Sequence, residues 1–100
     1  MFKEMTATVE GIQEHSEDKR PFKEELTFIL LPPKDSNHYG TGYYMRVIVK
    51  DSDGKTENKH LVDVRYERTT DVEILADRWI KNWYGNNAKS VSKCFQKGIL

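Results

Sequence analysis

Histidine and cysteine, which often serve as metal ligands, bases or nucleophiles, are few in this chain and lie far apart in sequence. The histidines are His15, His38 and His60, and there is a single cysteine, Cys94. Metal sites usually draw ligands from close pairs, such as two histidines on one helical turn or two cysteines two residues apart. Because no such pair occurs, we predict no metal site and no bound cofactor, and we expect three mostly solvent-facing histidines.

Cys94 is the only thiol that could act as a nucleophile. A reactive cysteine needs a base or a positive environment that lowers the pKa of its thiol, and nothing in residues 92–96 resembles an activating turn. We therefore expect a small thiol packed beside Val91 and Phe95, and no catalytic residue in the chain. A single cysteine also makes an internal disulfide impossible, which is typical of a reducing compartment and predicts a cytoplasmic protein.

Residues 32–42 form the longest segment without strand or helix character. Its glycines, Gly40 and Gly42, lead into a strand, whereas a phosphate-binding loop leads into the N-terminus of a helix. The segment therefore does not predict a phosphate site. Long loops in small domains are often functional, so His38 and Tyr39 are the candidate contacts for a small ligand.

The charge balance limits the classes of partner. The chain has 16 basic and 16 acidic residues and a formal net charge of +0, whereas a protein that mainly grips a phosphate backbone usually has a basic excess. The distribution is uneven, because every charged residue after Asp77 is basic. This C-terminal basic set favours either a solvated helical face or a patch for an acidic partner; it comprises Arg78, Lys81, Lys89, Lys93 and Lys97.

Strand patterns occupy most of the first two thirds of the chain. Residues 5–9 alternate between apolar and polar positions, and Gly11 before Ile12 shifts this alternation and predicts either a bulge or the end of the strand. Residues 25–31, 43–50 and 56–67 are further strand candidates. Asp53-Gly54 predicts a tight hairpin between the last two, and on the returning strand Val62, Val64 and Tyr66 are expected to share one face.

A helix follows these strands. Thr70 and Glu73 have the spacing of a capping box, and Gly85 predicts the C-terminal end. Between them, apolar residues recur at the helical period and predict one buried stripe: Val72, Leu75, Ala76, Trp79, Ile80 and Trp83. Tyr84 lies off this stripe and is expected to be exposed.

Residues 88–96 predict a second, short helix. Val91, Cys94 and Phe95 recur at i, i+3 and i+4, and Gly98 supplies a stop. Strands first and helices last indicate an α+β fold of ββββαα order in a single domain, residues 1–100. We expect a four-stranded, mostly antiparallel sheet covered on one face by the capped helix and the short tail helix. The longest apolar run, residues 28–31, is too short to span a bilayer.

This architecture leaves one sheet face open, and its residues mix apolar and basic types: Tyr44, Arg46, Ile48, Leu61 and Arg65. Such a face is a common route to self-association or to a protein partner. We therefore expect a non-enzymatic interaction or accessory module that acts through this face or as a homo-oligomer. Nucleic-acid binding by the C-terminal basic set is the alternative. The candidate partner contacts are Tyr44, Arg46, Arg65, Arg78, Lys81 and Tyr84.

Overall fold

The computed structural model describes residues 4–14, 17–31, 43–51, 54, 56–64, 66–69 and 71–95. They form an α+β structure in which an antiparallel sheet carries a helix on one face. The elements in chain order are β1 (Glu4–Ile12), β2 (Pro21–Leu31), β3 (Tyr44–Lys50), β4 (Glu57–Asp63), α1 (Val72–Tyr84), a 3-10 turn (Gly85–Asn87) and β5 (Ala88–Phe95).

The sheet has five strands in the order β4-β3-β2-β1-β5, and all neighbours are antiparallel. The predicted hairpin of β3 and β4 is confirmed, and Asp51 N–H donates to the Thr56 carbonyl at 3.2 Å where the strands meet the turn. Of the two alternatives predicted at Gly11, the bulge is confirmed as a register shift in the pairing of β1 with β5, and the strand does not end there but continues to Ile12. Strand β2 begins at Pro21 instead of residue 25, because Ile12 of β1 pairs with Pro21.

The predicted tail helix is wrong, since Ala88–Phe95 is a strand that pairs with β1. The local pattern fits both structures: Val91, Cys94 and Phe95 have helical spacing, while Ser90 and Ser92 on either side of Val91 fit the period of a strand. Tertiary structure decides between them, because the 3-10 turn returns the chain alongside β1, whose outer edge would otherwise have unpaired backbone groups. The sheet therefore has five strands, and the element order is ββββαβ.

The hydrophobic core lies between α1 and the inward face of the three central strands. The predicted alternation in β1 and β2 is confirmed, since Met5, Val9 and Phe28 are fully buried. Inward residues of β3 continue this layer, and α1 closes it. The buried core comprises Met5, Ala7, Val9, Leu26, Phe28, Leu30, Met45, Val47, Val49, Val64, Val72, Leu75, Ala76, Ile80 and Tyr84.

Helix α1 is capped one residue later than predicted. Asp71 is the N-cap, and its carboxylate accepts a hydrogen bond from Glu73 N–H at 3.0 Å. An aspartate in this position also interacts favourably with the positive end of the helix dipole. With Asp71 as the N-cap, Glu73 is the second helical residue, so the predicted capping box of Thr70 and Glu73 is wrong. The predicted end at Gly85 is confirmed, because its N–H donates to the Lys81 carbonyl.

The end of the helical stripe is reversed relative to the prediction. Trp83 is 55% exposed, whereas Tyr84 is only 8% exposed. Trp83 lies against His60 of the edge strand β4, where no further strand of the described residues is available to cover it. Tyr84 instead points toward β2 and stacks on Phe22. The lateral position of α1 over the sheet decides which of these two neighbours is buried. The periodicity of the sequence does not give this position.

Strand β4 ends at Asp63, earlier than the predicted residue 67, because the chain turns toward α1 from Val64 onward. Val64 is buried and its N–H donates to the Tyr43 carbonyl at 3.1 Å. Tyr66, which the alternation places on the inward face, is 88% exposed. Within the described part of the chain, no helix has the length and apolar character needed to cross a bilayer.

Candidate interaction surfaces

The face of the sheet opposite α1 carries large apolar side chains, and no helix or strand of the described residues packs on it. We call this the open face. Its apolar group, the open-face patch, consists of Ile29, Leu31, Tyr44, Ile48 and Leu61. Leu61 is 63% exposed, while the other four are half-buried by their neighbours in the sheet.

The strand register determines how the open-face patch is arranged. Ile29, Arg46 and Leu61 are direct cross-strand neighbours on β2, β3 and β4. Tyr44 and Ile48 flank Arg46 along β3, so the aliphatic stem of the arginine has apolar neighbours on all sides. Long arginine side chains lie readily on apolar surface with the charged head in water, so the patch is apolar with a basic centre.

Both acidic and basic side chains lie around this patch. Glu4 pairs with Ile29 at one end of the central row, and Asp63 pairs with Tyr44 at another corner. On the remaining side lie Lys59 and Glu57, which form an ion pair with an N–O distance of 3.7 Å. Both signs are therefore present on one face, without a strong field of either sign.

The predicted contacts Tyr44 and Arg46 lie on the open face, and Arg46 is exposed. Arg65 lies outside the described residues. Arg78 and Lys81 are exposed on α1, which lies on the opposite side of the sheet from the open face. Arg78 forms an ion pair with Glu67. The sheet and the helix therefore separate the predicted contacts onto two sides of the molecule.

The C-terminal basic set is largely neutralised by local acids. Lys89 forms an ion pair with Glu14 at 2.8 Å, and Lys93 lies between Asp77 at 2.7 Å and Glu73 at 3.3 Å. The hydrogen bond to Asp77 raises the pKa of Lys93, although partial desolvation acts in the opposite direction. Lys97 lies outside the described residues. These cations link β5 to α1 and to the end of β1, so they do not form a uniform basic surface.

A second surface surrounds Tyr84. Its hydroxyl donates to Glu24 Oε1 at 2.6 Å, and its ring stacks on Phe22 at 5.6 Å between ring centroids. Glu24 lies on the helix-covered face of β2, because it alternates with Glu25 and shares the parity of Leu26 and Phe28. The expectation that Tyr84 is exposed is therefore wrong: the residue joins the end of α1 to the start of β2.

Aromatic rings continue from Tyr84 across the end of α1. Trp79 stacks on Trp83 with 5.1 Å between ring centroids, and it makes a T-shaped contact with Phe28 at 5.8 Å. His60 lies 4.9 Å from Trp83 between ring centroids and is half-buried. The expectation of a solvent-facing histidine is thus wrong at position 60, where the edge strand places the imidazole under the exposed tryptophan.

The buried Tyr84 hydroxyl gives stability a specific dependence on alkaline pH. Burial, followed by the hydrogen bond to Glu24 and its charge, raises the pKa of Tyr84 above its ordinary value of 10.0. Above that ordinary value the unfolded chain loses the proton while the folded chain keeps it. Stability from this group is therefore present at lower pH and decreases as pH rises, by at most about 1.4 kcal/mol per pH unit.

We expect Tyr84→Phe to have a shallower decrease in unfolding free energy above pH 10 than the wild-type protein. Urea titrations at a series of alkaline pH values measure both slopes. Comparing the slopes, rather than the stabilities, removes the cost of losing the hydroxyl at neutral pH. Equal slopes in the two proteins would contradict this assignment.

The remaining predicted features lie outside the described residues or elsewhere in the fold. His15, His38, Tyr39 and the whole of residues 32–42 lie outside the described residues. Cys94, expected to be packed beside apolar neighbours, is exposed on β5, because that segment is a strand at the sheet edge. In the part of the chain that the structure describes, no group of three or more His, Cys, Asp or Glu side chains could hold a metal ion.

Comparison of this chain with protein-family models, with curated proteins and with solved structures finds no match. Function is therefore inferred from the structure itself. Sequence reasoning found the open face but missed the group around Glu24. The available signal was Glu24-Glu25 at the start of an apolar strand, where the alternation must turn one carboxylate inward.

Proposed function

We propose that this protein is a small non-enzymatic interaction domain that forms a homodimer by packing the open faces of two copies together. The observation that carries the proposal is the open-face patch, a contiguous group of large apolar side chains on a sheet face that no described element covers. Contiguous exposed apolar patches larger than a few hundred Å² are uncommon on monomeric proteins and often mark interfaces.

The size of the face is compatible with a stable dimer. Five strands about 4.8 Å apart, each with about seven residues at 3.3 Å, give a flat area of roughly 550 Å². Side-chain relief increases the accessible area, which brings it near the roughly 800 Å² per partner of a standard interface. Two such faces would pack as a sandwich with the sheets about 10 Å apart.

The charges favour a second copy over a partner of one strong sign. Arg46 lies at the centre of the patch and acidic residues such as Glu4 and Asp63 lie at its margin. A two-fold axis near the patch can bring the central arginine of one copy toward marginal carboxylates of the other, and the same contact is then made twice. The formal net charge of +0 adds no repulsion between copies.

The test compares two substitutions that introduce the same negative charge at exposed apolar positions. Leu61→Glu changes the open-face patch, and Ile74→Glu changes the outer surface of α1. Both should preserve the fold. The carboxylate introduced at position 61 would lie across from Arg46, and the one introduced at position 74 would lie in the first turn of the helix, where negative charge is favourable.

We expect the wild-type protein and Ile74→Glu to sediment as dimers, and Leu61→Glu to dimerise at least about tenfold more weakly, equivalent to about 1.4 kcal/mol. Sedimentation equilibrium over a concentration series measures this difference. A wild-type protein that remains monomeric at the highest concentrations, or an equal loss in both variants, would refute the proposal.

A further inference from the structure

Strand β4 forms one edge of the sheet, and among the described residues it pairs only with β3. The outer side of an edge strand carries a row of N–H and C=O groups that can pair with another chain, and proteins often interrupt such a row with a proline or a bulge. Residues 57–63 contain no proline, and their pairing with β3 has no register shift. The outer edge of β4 is therefore a regular template for a further strand, and its charged side chains decide which strand fits.

Hydrogen bonds at both ends of β4 show which of its backbone groups point outward. At one end Val64 N–H donates to the Tyr43 carbonyl at 3.1 Å, and at the other end Asp51 N–H donates to the Thr56 carbonyl at 3.2 Å. The even-numbered residues of β4 therefore bond to β3, since the direction of the backbone groups alternates along a strand. The outward groups belong to the odd-numbered residues, which are Glu57, Lys59, Leu61 and Asp63.

Charges decide between the registers in which two β4 edges could pair in the antiparallel direction. Outward groups have to meet outward groups, so odd-numbered residues lie opposite odd-numbered residues. The registers that overlap over at least five residues have their two-fold axis at Lys59, His60 or Leu61. The first places Lys59 opposite its own copy, and the second places Glu57 opposite Asp63, so both bring like charges together.

The register centred on Leu61 instead brings opposite charges together. Lys59 of each copy lies opposite Asp63 of the other, and the contact is made on both sides of the axis. Opposed residues of opposite charge stabilise a strand pair, and opposed residues with outward backbone groups exchange both N–H···O bonds. The ion pair of Lys59 with Glu57, at 3.7 Å between exposed side chains, is weak and does not prevent this contact. Strand β4 is thus self-complementary in charge and in backbone hydrogen bonding.

The same register covers apolar surface on both faces of the sheet. On the open face, Leu61 is 63% exposed and would lie beside its own copy. On the helix side, His60 would lie opposite Val62 of the second copy, next to Trp83. The indole of Trp83 is 55% exposed at this border of the sheet. A second β4 strand would therefore reduce the exposure of a large apolar side chain on each face of the edge.

The charges of the opposite edge do not match each other in this way. Strand β5 carries Lys89 and Lys93 at equal distances from Val91, near the middle of the strand. An antiparallel contact centred on Val91 would place lysines of the two copies opposite each other, which is unfavourable. The charge pattern therefore favours β4 over β5 as the edge that pairs.

We propose that two copies of this chain pair through their β4 edges, antiparallel and centred on Leu61, so that the two sheets become one continuous sheet. The two-fold axis is perpendicular to the sheet, which places both open faces on the same side. This contact goes beyond the proposed dimer of open faces and does not depend on it. Because it is the smaller of the two contacts, it joins face-packed dimers into larger assemblies at higher protein concentration.

The test reverses the charges that set the register. Lys59→Glu and Asp63→Lys each create like charges across the edge contact, whereas the double variant restores opposite charges. Both positions are exposed, so the fold should persist, and thermal melting verifies it. All variants are made in an Ile29→Gln background, because Ile29 lies on β2 in the open-face patch and its polar replacement weakens only the contact between open faces. Leu61 stays unchanged, since it belongs to both contacts.

We expect Ile29→Gln to show concentration-dependent association by sedimentation equilibrium. Each charge reversal should weaken this association at least about fivefold, because both symmetric pairs become repulsive, and the double variant should return to within about twofold of Ile29→Gln. Amide hydrogen exchange gives an independent measurement. The amides of Lys59, Leu61 and Asp63 should gain protection as the concentration rises, whereas the amide of Glu57, which lies beyond the paired residues, should not.

Association of Ile29→Gln that the single charge reversals leave unchanged would overturn the proposal, as would a folded double variant that stays weak. A strictly monomeric Ile29→Gln at the highest concentration would also overturn it, and would leave the dimer of open faces intact if the wild-type protein is dimeric. If instead the open faces do not pack, Ile29→Gln associates as strongly as the wild-type protein and only the charge reversals weaken it. The two proposals therefore fail separately.

Discussion

Replacing Phe28 by alanine is expected to lower the free energy of unfolding by about 3–5 kcal/mol, because Phe28 is the largest fully buried side chain in the described part of the chain. Phe28 is 0% exposed on β2, the middle strand of the sheet. Its ring lies between the cross-strand neighbours Met5 and Val47, and Trp79 packs against it in a T-shaped contact. The loss combines the transfer of aromatic surface to water with the cavity left behind.

A domain of this size has a total stability of about 5–15 kcal/mol, so the variant is expected to be close to unfolding. Urea denaturation followed by circular dichroism measures the change. Phe28→Leu keeps most of the volume and should lose about 1 kcal/mol, which provides a folded comparison. Ile74→Ala, on the exposed side of α1, should change stability by less than about 0.5 kcal/mol. A loss below about 1 kcal/mol in Phe28→Ala would show that this layer is not the core.

The second large effect is expected at Gly11, where β1 passes under the 3-10 turn. A Cβ at this position would overlap the Asn87 carbonyl oxygen and would lie 2.9 Å from both the Asn87 carbonyl carbon and Phe22 Cζ. The first two are backbone atoms and cannot rotate away, so the turn must move. We expect Gly11→Ala to lose about 1–3 kcal/mol, the usual cost of overpacking.

The same substitution should also weaken the pairing of β5 with β1, because Gly11 pairs with Ala88 directly after the turn. Faster hydrogen exchange of β5 amides, with β2 and β3 amides unchanged, measures this local effect. Gly54→Asn is the matched control: Gly54 has a φ of 72°, which asparagine tolerates, and a Cβ added there would meet no atom within 4 Å. If both glycine variants lose similar stability, the close approach at Gly11 is not the cause.

The two proposed contacts have different relations to the fold. The open face exists because α1 covers only one side of the sheet, so no described helix or strand packs on its apolar side chains. The β4 edge exists because the chain turns toward α1 after Asp63. Each contact can be changed by a substitution that leaves the other intact, and the two proposals can therefore be tested separately.

Much of the fold is determined by local sequence patterns. The alternation of Met5, Ala7 and Val9 places one face of β1 in the core, since the side-chain period of a strand is two residues. Asp53-Gly54 predicts the β3–β4 hairpin, because its preferred backbone angles match a tight turn between antiparallel strands. The stripe from Val72 to Ile80 predicts α1, and Gly85 predicts where it ends.

Other features depend on contacts between residues distant in sequence, and only the tertiary structure decided them. Residues 88–95 have patterns compatible with either a helix or a strand, and the unpaired edge of β1 selects the strand. Trp83 and Tyr84 are adjacent, and the position of α1 over the sheet exposes the first and buries the second against Phe22. The sequence by itself therefore determined the periodic elements, because periodicity is a local property. The fifth strand, the inward role of Glu24 and the edge position of β4 depend on which elements become neighbours, and that is decided by packing.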